Sequence, residues 1–193
     1  VPHVMGIPVI FHLPAVALYY FFIPPHSKTF RQWKGWNFVR RNYNFEGPGV
    51  KTLFDPKQTC IYAFHPHGVF ASYIHLSIAL NKNLTHIRPV GTSLLFKIPL
   101  LKDICALGGA IPATRKDIIT TLECGESIAM CPGGLRELPG LDIKRMKQGN
   151  GFIQRQGFLK IASNKNVKVI PVYVTNTEKL YSIYLPFIKI QRL

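Results

Sequence analysis

Acidic residues are scarce. The chain has 193 residues, with only 9 Asp and Glu against 24 Lys and Arg, a formal net charge of +15. No Asp or Glu occurs from Val1 to Phe45. None occurs from Ile143 to Thr177, a stretch that carries Lys144, Arg145, Lys147, Arg155, Lys160, Lys165 and Lys168. A field of one sign attracts polyanions: nucleic acid, an anionic bilayer surface or a phosphate-bearing co-substrate. A single Lys reads first as a solvated charge, whereas acid-free runs this long indicate an anion-facing surface. Cysteine is scarce too. Cys60, Cys105, Cys124 and Cys131 form no C-x-x-C pair, which argues against a zinc ribbon, and they are expected to be reduced. No H-E-x-x-H or clustered Cys/His pattern occurs, so no metal is expected. No nucleic-acid-binding motif accompanies the charge, so nucleic acid is not the expected partner. There is no internal repeat and no low-complexity tract. With 47% hydrophobic and 17% charged residues, the composition is neither disordered nor that of a multi-span membrane protein. The length suits one domain with a real core. The chain begins with Val1 rather than Met, as a fragment or processed form does. It shows no basic n-region followed by a cleavage site.

What is present begins with a long apolar run. Val4 to Ile23 (VMGIPVIFHLPAVALYYFFI) holds no Asp, Glu, Lys or Arg and approaches the length that spans a bilayer. Pro8 and Pro14 interrupt it and His12 lies within it, so a kinked, re-entrant or interfacial segment fits better than a straight spanning helix. The alternative is a buried helix or strand pair. Tyr19, Tyr20, Lys28 and Arg31 have the character of interface anchors. Residues 1–26 are therefore expected to form a hydrophobic membrane-associated segment, and residues 27–193 the main domain. After Pro24-Pro25, Phe30, Trp33, Trp36 and Val39 recur every third residue among Lys and Arg. That pattern predicts a basic amphipathic helix on a membrane surface, weakened by Gly35.

From there strand-like and helix-like stretches alternate. Strands are expected at Thr59 to Phe64, Ile87 to Val90, Ser127 to Cys131 and Val167 to Val174, with a short extended piece at Ala110 to Pro112. Helices are expected at Val69 to Leu80, Leu94 to Leu107 with a break near Pro99, Arg115 to Cys124 closed by Gly125, and Gln156 to Ser163. Pro132 to Gly134 reads as a tight turn and Pro139 to Gly151 as a long basic loop. Pro171 points to an edge or a bulge. The alternation predicts an α/β fold with a largely parallel sheet flanked by helices. Sites in such sheets lie beyond the carboxyl ends of the strands.

Two turns fall there. His65-Pro66-His67-Gly68 follows the first buried strand. Attack by an alcohol needs a base, and imidazole titrates near neutrality. Pro66 fixes the backbone between the rings, and Gly68 permits a sharp turn. The competing reading is a structural histidine pair. Cys131-Pro132-Gly133-Gly134-Leu135-Arg136-Glu137 follows another buried strand. Its glycines, Gly133 and Gly134, let amides approach an anion or developing oxyanion, and Glu137 suits the partner of an imidazolium. Taken alone, Pro-Gly-Gly reads first as a plain turn. Arg115 and Arg155 each stand at a predicted helix start, where a guanidinium and a helix N-terminus together favour anions. A surface salt bridge is the alternative for each.

The chain resembles the diacylglycerol acyltransferase 2 family, which includes monoacylglycerol and wax-ester acyltransferases. The pieces that carry the resemblance are YAFHPHGVF (Tyr62 to Phe70), IRPVGTSLLFKIPLL (Ile87 to Leu101) and LGGAIPATR (Leu107 to Arg115). PGGLRE (Pro132 to Glu137), RQGFLKIA (Arg155 to Ala162) and VIPVYV (Val169 to Val174) complete it. The resemblance runs from about Phe30 to Tyr181 and implies a glycerolipid acyltransferase-like fold over residues 27–193. It implies an acyl-CoA co-substrate with no further cofactor, a neutral lipid acceptor and a membrane surface. By family pattern His65 and His67 are catalytic, with His67 the base and Glu137 its partner. Gly68, Arg115, Gly133, Gly134 and Arg155 are substrate-binding. The implied reaction is O-acylation of diacylglycerol to triacylglycerol, at the endoplasmic reticulum or lipid droplet with the catalytic domain facing the cytosol. Lysophospholipid or glycerophosphate acylation is the alternative enzyme reading, and non-catalytic lipid binding the alternative of another class. Phe70 and Ser72 stand where a His-x4-Asp pattern would need Asp, which argues against the lysophospholipid branch. Thr175-Asn176-Thr177-Glu178 departs from the family's usual Phe-Gly-Glu-Asn-like stretch, which leaves the acceptor open.

Overall fold

The computed structural model of the chain describes residues 3–4, 7–8, 26–42, 54–65, 71–134 and 156–174. Short apolar runs bounded by turn residues pair into a five-stranded parallel sheet. Its strands are β3 (Cys60–His65), β4 (Ile87–Gly91), β5 (Ile111–Pro112), β6 (Ser127–Met130) and β7 (Lys168–Tyr173), in the order β5-β4-β6-β3-β7. A separate antiparallel pair, β1 (His3–Val4) and β2 (Ile7–Pro8), lies within the apolar N-terminal run. Most of that run, residues 5–6 and 9–23, lies outside the described residues. Among the described residues no helix is long and apolar enough to cross a membrane.

The helices are α1 (Lys28–Gln32), α2 (Asn37–Asn42), α3 (Ser72–Ala79), α4 (Leu101–Leu107), α5 (Arg115–Glu123) and α6 (Gly157–Lys165). Strand periodicity sends alternate residues to opposite faces. Tyr62, Phe64 and Ala129 join Phe54 with Ile74 and Ile78 of α3 in one core cluster. Ile61 and Ile128 join Ile118 and Leu122 of α5 and Ile161 of α6 in the other. The sheet is covered on both faces, as parallel sheets are. Local chemistry fixes the helix ends. Thr114 caps α5, its hydroxyl accepting from the Asp117 amide at 3.1 Å. Beyond its other end, Gly125 adopts a φ of +77°. Pro171 is exposed on β7, which is an edge strand, as its missing N–H demands.

Three expectations change. The Trp-containing stripe is not one helix. Trp33 leaves α1 with ψ 135°, Lys34 to Trp36 form a 3-10 turn, and the rings fold on one another. Trp36 packs edge-on to Phe30 at 5.3 Å and to Trp33 at 5.6 Å, and its indole N–H donates to the Phe30 carbonyl at 2.7 Å. In the 94–107 stretch the break expected near Pro99 is present, since Pro99 supplies no amide to continue a helix, but the part before it is a 3-10 turn at Leu95–Lys97 and only α4 is an α-helix. Arg31, expected at a membrane interface, is wholly buried.

Candidate active site

β3 and β6 are neighbours and run parallel, with Ile61 opposite Ile128, Tyr62 opposite Ala129 and Ala63 opposite Met130. His65 lies two residues beyond Ala63, and Pro132 two beyond Met130. His65 and the Pro-Gly-Gly turn thus stand at the ends of adjoining strands, on the same carboxyl edge. His65 ends β3 and is half-buried. β7 holds its backbone from the other side: His65 pairs with Tyr173, and its carbonyl accepts from the Val174 amide at 3.0 Å. After β6 the chain turns at once. The Gly134 amide donates to the Cys131 carbonyl at 3.2 Å with Gly134 at φ 55°, while Gly133 is buried. The positive φ is the reason for glycine at position 134.

The structure therefore brings His65 together with Gly133 and Gly134. His67, Gly68, Glu137 and Arg155 lie outside the described residues. Arg115 is exposed at the start of α5, directly after β5 and so on the same edge. β5 stands three strand positions from β3, about 14 Å at ordinary strand spacing. The first turn of α5 is already served by Thr114, whose hydroxyl accepts from the Asp117 amide and bonds to the Asp117 carboxylate. Among the described residues no three His, Cys, Asp or Glu side chains gather to hold a metal. Burial raises the Cys60 and Cys105 thiols above their ordinary range, which keeps them from thiolate chemistry.

Sequence reasoning missed His75. This α3 residue places Nδ1 2.8 Å from the Ala71 carbonyl and Nε2 3.0 Å from the Val90 carbonyl. It sits between Ala71 and the carboxyl end of β4. Its setting among the apolar residues of α3 was the signal that it faces inward.

A parallel, doubly covered sheet in which β3 ends at His65 beside the strand that leads into the Pro-Gly-Gly turn places the chain among α/β proteins with a candidate site at the carboxyl edge of the sheet. A family model described as diacylglycerol acyltransferase matches residues 4–187, and the chain belongs to that family. It is 29% identical over 147 residues to Diacylglycerol O-acyltransferase 2 of Dictyostelium discoideum, covering 68% of this chain and 42% of that protein. The Danio rerio and Homo sapiens proteins of the same name are each 24% identical over 165 and 169 residues. Each alignment covers 80% of this chain, with 45% and 42% of the relative. The chain thus spans less than half the length of these curated relatives. No solved structure gives a significant match.

Proposed function

We propose that the chain transfers a fatty acyl group from acyl-CoA to a neutral lipid hydroxyl, diacylglycerol giving triacylglycerol. The observation that supports this most is the placement of His65 and the Gly133-Gly134 turn at adjoining carboxyl ends of β3 and β6. Family membership supports the same reaction. In this reading His67 removes the alcohol proton as its oxygen attacks the thioester carbonyl. Amides of Gly133 and Gly134 receive the developing oxyanion. The carbon–sulfur bond then breaks, CoA leaves as the thiol with the proton His67 took, and the ester remains. Glu137 balances the imidazolium between these steps. Gly68 lets the turn reach the substrate, and Arg115 and Arg155 meet the CoA phosphates. Because the acceptor is insoluble in water, we place the protein at a membrane surface. The endoplasmic reticulum or lipid droplet, with the catalytic domain toward the cytosol, fits its free thiols.

The test is an acyl-CoA assay on purified protein across a panel of lipid alcohols, with wild type and His67→Ala side by side. Wild type is expected to acylate diacylglycerol, and the variant to lose about 10²-fold or more of its rate. Activity kept within a few-fold removes His67 from the mechanism. Preference for a phosphate-bearing acceptor moves the assignment to lysophospholipid or glycerophosphate acylation.

A further inference from the structure

The segment that leaves β4 carries an apolar surface that the site does not use. Leu94 is 60% exposed, Ile98 42%, Leu100 73% and Ile104 53%. Scattered exposed apolar residues need no explanation, but four within eleven positions do. The backbone holds them outward under strain. Leu100 has a φ of 62° and ψ of −43°, and the Leu101 amide donates to the Pro99 carbonyl at 2.7 Å. This is a γ-turn of the positive-φ kind, the rare and strained form. A large side chain at positive φ normally persists because burial over-determines it, and here the side chain points to solvent. α4 continues directly from the turn, the Lys102 amide bonding to the Ile98 carbonyl and the Ile104 amide to the Leu100 carbonyl, both at 3.0 Å. Leu100 and Ile104 therefore share one helix face. Lys97, exposed within the patch, brings positive charge.

We infer that Leu94, Ile98, Leu100 and Ile104 form a rigid apolar wedge that enters the headgroup–acyl boundary of an anionic bilayer. This deepens the proposed function and rests on it: β4 ends at the edge that carries His65 and Gly133, so the wedge sets that edge toward the lipid phase. Lys97 and the net charge of +15 complement an anionic surface. A stable protein partner needs about 800 Å² on each side, more than four side chains on one turn and helix offer.

Flotation with phosphatidylcholine vesicles, with and without phosphatidylserine, tests the wedge on the full chain. Leu100→Gly relieves the positive φ. It is expected to match or exceed wild type in thermal midpoint while losing about tenfold in vesicle affinity, the weight of one interfacial Leu. Leu100→Asp with Ile104→Asp should lose more, and Leu159→Asp on α6 should bind like wild type. Unchanged binding by Leu100→Gly and by the double variant overturns the wedge, as does a loss shared equally by Leu159→Asp. That includes the case in which another segment of this chain covers the face. Acyl transfer to a short-chain, water-soluble acceptor separates the two ideas. Its absence from wild type sinks the catalytic reading without touching vesicle binding. Its presence with wild-type binding in the variants sinks the wedge alone.

Discussion

Arg31 is a full charge with no solvent exposure. Its guanidinium donates to the carbonyls of Ala79 and Thr85 at 2.7 Å, Ile78 at 3.0 Å, Leu84 at 3.1 Å and Ile87 at 3.4 Å. It closes the carboxyl end of α3 and the loop into β4, where free carbonyls gather. Burial, and then the charge of Arg88, push its pKa down to about 10, which leaves it cationic at neutral pH. Gly109 is required beside it. With φ +87°, an added Cβ there would lie 3.2 Å from Arg31 Nη1 and 3.5 Å from Arg88 Nε. Each buried carbonyl left without a donor costs about 1–3 kcal/mol. Arg31→Met is therefore expected to destabilise the fold by at least ~3 kcal/mol in urea unfolding, and Arg31→Lys by less. A loss under ~1 kcal/mol in Arg31→Met would mean the clamp contributes little. Nothing in the sequence marks this residue. In Phe30-Arg31-Gln32-Trp33-Lys34 it is one cation among several beside aromatics, and only the folded contacts separate it from Lys28 or Lys34.

At the scale of elements, the strands were the legible part. β3 and β6 are apolar runs with Pro close behind them, and a run buried on both faces leaves a continuous signature. The break near Pro99 was legible for the same chemical reason. The Trp stripe was not: its three-residue spacing fits a helix, but ring packing and the backbone angle at Trp33 end α1 first. Also unread was the junction that ties the chain entering α1 to β4 and to the loop before β6. Arg88 Nη1 lies 2.8 Å from His26 Nδ1 and 3.0 Å from Glu126 Oε2, while its Nε donates to the Gly109 carbonyl. Arginine only donates, so His26 Nδ1 accepts and the ring is neutral. Burial, then Arg88, hold the His26 pKa below its ordinary 6.5. Burial, then Arg31, do the same to His86. Well above 6.5 both rings are neutral folded and unfolded, and their contribution is whole. As pH falls below that, the unfolded chain takes up protons first and stability declines. Wild type should therefore melt at a lower temperature at about pH 5.5 than at about pH 7.5. In His26→Gln, whose amide oxygen accepts from Arg88 at any pH, the decline should be smaller. Equal declines in both proteins would remove His26 from the acid response.

The whole molecule divides its labour between the two edges of one sheet. The carboxyl edge carries His65, Gly133 and Gly134 with the exposed segment after β4. The amino edge is held by a junction drawn from residues as far apart as His26 and Glu126. The first edge was legible because its motifs are contiguous in sequence. The second was not, because four separate pieces of chain, at His26, Arg88, Gly109 and Glu126, meet there. The excess of Lys and Arg adds a long-range attraction to whatever the apolar wedge contributes, and the two respond differently to salt. Exposed charges are screened beyond about 8 Å at physiological ionic strength and about 3 Å at 1 M. Apolar insertion is not screened. Raising NaCl from about 0.05 M to about 0.5 M should weaken wild-type binding to phosphatidylserine vesicles about tenfold or more, and leave binding to phosphatidylcholine alone nearly unchanged. The Leu100→Asp, Ile104→Asp double variant should retain chiefly the charge-driven share, so its remaining binding should fall away at high salt, whereas Leu100→Gly keeps a salt-resistant fraction smaller than that of wild type. If wild type loses all binding at high salt on both vesicle types, charge alone carries the attachment.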